Sequence, residues 1–286
     1  MMSPYISSPS KTTSILKEHN IRLSKSYGQN FLVDTNILKK IVSKANIASK
    51  DRVLEVGCGI GNLTEILLPK AKSLVCIDID KKLCAVFRKL FSDYISQRIV
   101  LVCKDALRLD YELLEKEYGI SKMVSNLPYK IAAPLILKVF SQTQKVLEAY
   151  LTIQKDIADR ITATKGDKNY SSYTVKANYL AEFENLFSIS RNSFLPRPNV
   201  DSSFIFGKKK TLALKDTKGF FDFVDQCFAH RRKKLINSLQ TDIFYKQKTQ
   251  FVIASLEEIG KDKNIRAEEL SVDDYIFIYK TLVSNI

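Results

Sequence analysis

Apolar residues change their period along this chain. After Asp34, the residues Ile37, Leu38, Ile41, Val42 and Ala45 recur at three- and four-residue steps, which predicts a helix that Asp34 caps. Val53–Val56 reads as a short apolar strand, followed by a glycine-rich turn and a helical stretch over Leu63–Leu68. Further strands are predicted at Leu74–Ile79, Ile99–Cys103, Lys122–Ser125 and Leu147–Ile153, with helices over Lys81–Leu90 and near Pro134–Phe140. This β-α-β-α order predicts an α/β fold, a parallel sheet with helices on both faces. Near Lys208–Lys210 the pattern changes, and from Gly219 onward Phe220, Val224, Phe228, Leu235 and Leu239 share one helical face. The segment 250–283 also reads as helices. The expected division is a loose basic arm (1–24), a Rossmann-like domain (25–207) and a small all-helical domain (208–286).

Composition narrows the function. With 286 residues, 45% hydrophobic and 27% charged, the chain buries a true core. No apolar stretch approaches the ~18 residues of a bilayer span; the longest, Ile131–Phe140, is interrupted by Pro134 and Lys138. The N-terminal stretch lacks the apolar core of a secretory signal and has no Arg before Arg22, so a cytoplasmic protein is expected. The five cysteines (58, 76, 84, 103 and 227) form no CxxC pair and there are two histidines, His19 and His230, so no metal site or hydrolytic triad is expected. The cysteines read as reduced, buried small hydrophobes. The net charge of +14 points to a polyanionic partner, nucleic acid before membrane. Arg231, Arg232, Lys233 and Lys234 are the expected RNA contacts, presented as a basic helical face beside an apolar seam; a merely solvated face is the plain alternative. Lys11, Lys17, Arg22 and Lys25 suggest a second basic arm, with a disordered tail as its alternative.

The turn VLEVGCGIGNLTE carries Glu55, Gly57, Gly59 and Gly61 between a strand and a helix. Glycine there admits a tight turn and the close approach of a ligand. The spacing is GxGxG, neither the dinucleotide fingerprint nor a P-loop. Asp78 ends the next strand, where an acid accepts from ribose hydroxyls, and Asp105 ends the third, where an acid accepts from an adenine amino group. A glycine triplet alone is only a strand-to-helix connection, but with both acids the layout is that of an S-adenosylmethionine site. Asp80 reads instead as a helix N-cap.

After the fourth strand comes SNLPYK, residues 125–130. An exocyclic adenine NH2 is a poor nucleophile because its lone pair is delocalised into the ring. The Asn126 side-chain oxygen and the Leu127 backbone carbonyl are two acceptors that draw that nitrogen toward tetrahedral geometry. Pro128 fixes φ and aims the carbonyl, and Tyr129 offers a flat face for the base. A Pro-containing loop after a strand is the bland alternative, less favoured once the glycine turn is counted.

These segments, with KSYGQNFLVD (25–34), IDID (77–80), KDAL (104–107), QKDIADRI (154–161), FLPRPNVDSSF (194–204) and FAHRRKKLINSL (228–239), span nearly the whole chain. In that order they resemble the KsgA-type rRNA adenine dimethyltransferases. The resemblance implies dimethylation of N6 of two adjacent adenosines in the 3′-terminal hairpin of small-subunit rRNA, with S-adenosylmethionine as cofactor. It implies a monomer acting on a small-subunit precursor in ribosome biogenesis. It further implies that Asn30 and Leu32 contact or close over the methionine part and that Gly57 lies against the cofactor. Asp78 would take the ribose, Asp105 the adenine amino group, and Asn126 would sit between cofactor and target nitrogen. Tyr129 and Phe194 would sandwich the flipped base, and Gln29 would order the lid. Cys58, Lys130, Ser171–Ser172, Arg197 and Asn199 depart from the family pattern; the serine pair puts an RNA contact in doubt. Rival readings are a large-subunit adenine methyltransferase of the macrolide-resistance type, a non-catalytic assembly or transcription factor on the same fold, and a DNA adenine methyltransferase. Retention of Asn126, Pro128 and Tyr129 favours an enzyme, and NLPY with the FLPRPNVDSSF loop favours the small subunit.

Overall fold

The computed structural model describes residues 6–21 and 29–284. Its first helix, α1 (Pro9–Glu18), is capped by the Ser8 hydroxyl. A two-residue strand, β1 (Phe31–Leu32), and α2 (Thr35–Lys44) follow, and Asp34 accepts from the N–H groups of Asn36 and Ile37 as expected. Then β2 (Arg52–Val56), α3 (Thr64–Leu67), β3 (Ser73–Asp78), α4 (Lys81–Leu90) and β4 (Ile99–Cys103) alternate, continuing through α5 (Tyr111–Tyr118), β5 (Lys122–Asn126), α6 (Ala132–Gln142) and β6 (Glu148–Gln154). These five long strands pair in the order β4-β3-β2-β5-β6, each pair parallel. Burial of Val53, Leu54, Leu74, Cys76, Ile77 and Val124 explains why their runs read as apolar without alternation.

From β2 the chain winds outward through β3 to β4; it then returns to place β5 on the other side of β2. Ligands of open α/β sheets bind at this reversal, outside the strands' carboxyl ends. Gly57 follows β2 and Asn126 ends β5, so both glycine turn and NLPY segment stand at the switch point.

The expectation of a wholly parallel sheet is corrected at its far side. After α7 (Lys155–Ile161) and α8 (Ser172–Leu180), the chain forms β7 (Ala181–Ile189), β8 (Phe194–Leu195) and β9 (Ser202–Lys209). β9 pairs antiparallel with β6, and β7 makes the outer edge of a seven-stranded sheet. No helical crossover separates β7 from β9, and without one a parallel return is not available.

The chain divides into two compact units, Met1–Ala158 with Phe183–Lys209, and Asp159–Glu182 with Lys210–Ile286. A single cut at 207/208 therefore misplaces α8, whose buried Val175, Ala177 and Tyr179 belong to the helical unit. That unit continues with α9 (Thr217–Cys227), α10 (Leu235–Leu239), α11 (Ile243–Lys246), α12 (Thr249–Glu258) and α13 (Val272–Ser284). Its core is aromatic: Phe220 lies 4.7 Å from Tyr179 and Phe223 lies 5.7 Å from Tyr279, measured between ring centroids. The helix expected to run on from Phe220 to Leu239 breaks at Phe228 and resumes at Leu235. The intervening cations have no apolar face to bury, and the Leu235 N–H goes instead to the Ile265 carbonyl.

Residues 1–24, expected as a loose arm, contain α1, which buries Ile15 and Leu16 against Ile60, Leu83 and Val86. Lys11 and Lys17 lie in this helix; Arg22 and Lys25 lie outside the described residues. Among the described residues, no helix is long and apolar enough to cross a membrane.

Candidate active site

The turn after β2 is held open by two glycines in the left-handed region, Gly57 at φ +79° and Gly59 at φ +57°. The N–H groups of Gly57 and Cys58 both donate to the Ile77 carbonyl, at 2.8 and 3.2 Å, which ties the turn to the end of β3. A Cβ on Gly57 would stand 2.8 Å from Pro128 Cδ and 3.2 Å from the Asn126 carbonyl oxygen. One on Gly59 would stand 2.5 Å from the Phe31 ring. These two positions need glycine because the turn touches both the NLPY segment and the strand opposite. The Cys58 side chain turns away from the cavity and is buried in the core.

The two acids expected at strand ends line one cavity with Gly57, Gly59 and Asn126, of about 190 Å³. Asp78 accepts from the Gly59 N–H through Oδ2 at 2.8 Å and from the Asp80 N–H through Oδ1 at 2.9 Å. Each oxygen keeps a second lone pair, so two ribose hydroxyls still find acceptors. Burial pushes its carboxyl up while the two backbone donors pull it back. Asp105 Oδ1 accepts from the Leu107 N–H at 2.9 Å and Oδ2 stands 3.6 Å from Arg108 Nε. Asp80 caps α4 as expected, at 2.9 Å from the Lys82 nitrogen; its other oxygen accepts from Gln29 Nε2 at 2.9 Å.

At the end of β5, Asn126 Nδ2 donates to the Asn30 carbonyl at 3.0 Å. That bond sets the amide's orientation, because a flipped amide would oppose two oxygens. The Asn126 Oδ1 is buried and has no hydrogen-bond partner among the described residues. The Leu127 side chain is buried and its N–H donates to the Thr152 carbonyl at 3.1 Å, so β6 holds the loop's start. Pro128 lines the cavity. The Tyr129 hydroxyl lies 2.6 Å from that of Ser202, and burial raises the phenol above its ordinary range.

Two expectations change here. Leu32 does not line the cavity; Phe31 does. β1 pairs antiparallel with β8, Phe31 opposite Leu195 and Leu32 opposite Phe194. Directly opposed residues share a face and neighbours alternate, so Leu32 and Phe194 both enter the core while Phe31 faces the turn. The Phe194 ring, 3% exposed, meets Tyr129 edge-to-face at 6.5 Å and 66°. That is not the parallel slot of a base sandwich, and neither ring lines the cavity.

Sequence reasoning missed Phe31, Ile79, Lys104 and Leu107 as cavity residues. Ile79 had a signal: a large apolar side chain directly after the strand-end Asp78, here 45% exposed, offers a dry surface to an adenine ring. Lys130 also lines the cavity and is exposed. Taken together, an apolar wall, two carboxylates with spare lone pairs and a glycine cradle fit S-adenosylmethionine, and Asn126 lines the same cavity.

Behind the turn, Glu55 is buried and accepts from the Thr64 hydroxyl at 2.7 Å. Loss of water pushes its carboxyl from 4.5 up to about 8, so it is protonated and neutral at pH 7.

The expected RNA contacts divide within the helical unit. Arg231 is held by Glu268 at 3.2 Å and by the Lys168 carbonyl, and Lys234 Nζ lies 2.6 Å from Asn264 Oδ1. All four expected contacts are exposed. All four sit in the α9–α10 connection rather than on a helical face. Ser171 caps α8 through a reciprocal bond with Thr174, and the Ser172 hydroxyl joins Asp225, which also pairs with Lys176 at 2.6 Å. These serines therefore serve the unit's own packing.

The model of a family described as ribosomal RNA adenine dimethylase matches residues 20–283. A protein named ribosomal RNA small subunit methyltransferase A from Bacillus cytotoxicus is 34% identical, covering 97% of each chain. Its namesake from Geobacillus thermodenitrificans is 35% identical, again over 97% of each chain. Among solved structures, a dimethyladenosine transferase from Plasmodium falciparum superposes with a TM-score of 0.72 at 28% identity, over 86% of this chain and 94% of that one. The 23S rRNA methyltransferase ErmE shares the fold, with a TM-score of 0.63 at 22% identity, over 88% of this chain and 99% of that one.

Proposed function

The chain belongs to the ribosomal RNA adenine dimethylase family of S-adenosylmethionine-dependent methyltransferases, and from that premise we propose that it dimethylates N6 of two adjacent adenosines in the 3′-terminal hairpin of small-subunit rRNA. The observation that carries this reading is the Asn126 Oδ1, a buried acceptor without a partner among the described residues, on a side chain whose residue lines the cavity with the glycine turn and both strand-end acids. A buried polar atom left unpaired costs ~1–3 kcal/mol, so a fold that keeps one has a donor for it in the working state. An adenine N6 amino group is such a donor.

The cofactor supplies a methyl group already activated on a sulfonium. The protein's share is alignment. Asp78 and Asp105 hold the ribose and adenine of the cofactor, and Gly57 and Gly59 let the backbone come close. Asn126 Oδ1 and the Leu127 carbonyl each accept one N6 hydrogen, which turns the nitrogen lone pair out of the ring plane toward the methyl group. Such positioning is worth ~7–11 kcal/mol in favourable systems. Tyr129 stacks on the extruded base, its ring angle set by Ser202. The names of two relatives specify the small subunit, which supports that subunit over the large one, and the family description names adenine dimethylation. We further assign the chain to small-subunit assembly in the cytoplasm, acting as a monomer on a precursor particle.

The deciding experiment uses labelled S-adenosylmethionine with undermethylated small subunits, large subunits and duplex DNA, and Asn126→Ala as control. Label on two adjacent small-subunit adenosines, reduced ~100-fold or more in the variant, is the expected result. Label on large subunits or DNA overturns the substrate; cofactor and particle binding without any label overturns the enzyme in favour of an assembly factor.

A further inference from the structure

We propose that Asp80 is a positioning residue for methyl transfer, acting through Gln29 and the Asn30 carbonyl on the amide of Asn126. The proposal rests on the reading of Asn126 given above.

Capping explains only half of Asp80. Its Oδ1 accepts from the N–H groups of Lys82 and Leu83, at 2.9 and 3.4 Å, and one oxygen suffices for a helix cap, as serine caps show. Oδ2 does nothing for the helix. It accepts from Gln29 Nε2 at 2.9 Å, across 51 residues of sequence. Gln29 precedes Asn30, whose carbonyl receives Asn126 Nδ2 at 3.0 Å. Asp80 is itself fixed: its N–H donates to Asp78 Oδ1, and Asp78 Oδ2 receives the Gly59 N–H at 2.8 Å. A continuous path therefore runs from the glycine turn through Asp78, Asp80, Gln29 and Asn30 to the amide that receives the target nitrogen.

The physical consequence is a matter of donor and acceptor identity. An asparagine amide presents oxygen or NH2 depending on a half-turn of its last torsion. Among the described residues it is the Asn30 carbonyl that, by demanding a donor, holds the oxygen toward the substrate. If residues 29–30 drift, Asn126 loses that reference and can offer NH2 to an NH2, which repels the nucleophile. Cofactor contacts at Asp78 and Asp105 are not altered by this.

The test is a double-mutant cycle in the full chain with Asp80→Ser, which keeps a capping oxygen but cannot reach Gln29, Gln29→Ala, and both together. Asn126→Ala is the reference. Methyl transfer to undermethylated small subunits gives kcat and the KM for S-adenosylmethionine, calorimetry gives S-adenosylhomocysteine affinity, and melting reports folding. Because Gln29 also walls the cavity, its own loss is read only through the cycle. The expected result is a fall in kcat of roughly 10-fold or more for Asp80→Ser, with unchanged product affinity and melting temperature, and no further fall in kcat when Gln29→Ala is added. A kcat within about twofold of wild type for Asp80→Ser, beside an inactive Asn126→Ala, overturns the proposal while leaving the site reading intact. So do losses that simply multiply in the double variant. Full transfer by Asn126→Ala overturns the site reading and this proposal with it.

Discussion

Asn126 and Glu55 meet burial in different ways. Asn126 stays neutral and leaves one buried oxygen unpaired among the described residues. Glu55 keeps a proton: its carboxyl, moved from 4.5 to about 8, is neutral where a surface glutamate is ionised. Between those two values the folded protein holds a proton that the unfolded chain has released. Stability therefore falls as pH rises through this window, by an amount on the order of a few kcal/mol. Glu55→Gln cannot ionise and still accepts from Thr64. Its melting temperature should gain on wild type progressively from pH 5 to pH 8 and hold that gain above. Parallel melting curves across this range would show that Glu55 is ionised in the fold. Both residues were legible as types in their motifs, but their states were not, because protonation and pairing depend on what surrounds them in space.

Among the elements, the glycine turn and the NLPY loop behave as one part. The missing Cβ at Gly57 is the space that Pro128 occupies. In Gly57→Ala the methyl meets a proline ring and a backbone carbonyl, neither of which swings aside, and the residue keeps a φ that costs an L side chain ~1–2 kcal/mol. The expected outcome is loss of both cofactor affinity and methyl transfer, measured by calorimetry and by label incorporation. Retained affinity with lost transfer would mean the turn yields and only the loop is displaced. Helix α1 shows the opposite relation between sequence and structure. Its mean polarity reads as a tail, yet the Glu65 carboxylate accepts from the N–H groups of Ile6 and Ser7 at 2.9 and 2.8 Å, and Asn62 donates to the Thr12 hydroxyl at 2.9 Å. The residues that hold it lie some fifty positions away, so no local period announced it.

On the scale of the whole molecule, the charge of +14 is an affinity for phosphate with little sequence content. All four residues of the basic run are exposed, but Arg231 and Lys234 are engaged by partners within the helical unit. Replacing Arg232 and Lys233 with alanine should weaken binding to small-subunit particles and flatten its salt dependence by roughly 1.5–2 in log–log slope. Melting should be unchanged. Arg231→Ala should instead lower the melting temperature, since it strips Glu268 and the Lys168 carbonyl of their donor. An unchanged slope in the double variant would move the phosphate contacts elsewhere on the surface.

Amino-acid order alone determined the alternation of strands and helices, the glycine turn, the strand-end acids and the place of the NLPY segment after a strand, because these rest on periods and spacings within a few residues. Tertiary structure decided the rest. It chose Phe31 over Leu32 for the cavity through the register of a two-residue strand. It sent Phe194 into the core, placed α8 with the helical unit and turned the last strands antiparallel. It also joined Asp80 to Gln29. Each of these depends on which distant segments pack together, and that is settled by burial and pairing over the whole chain.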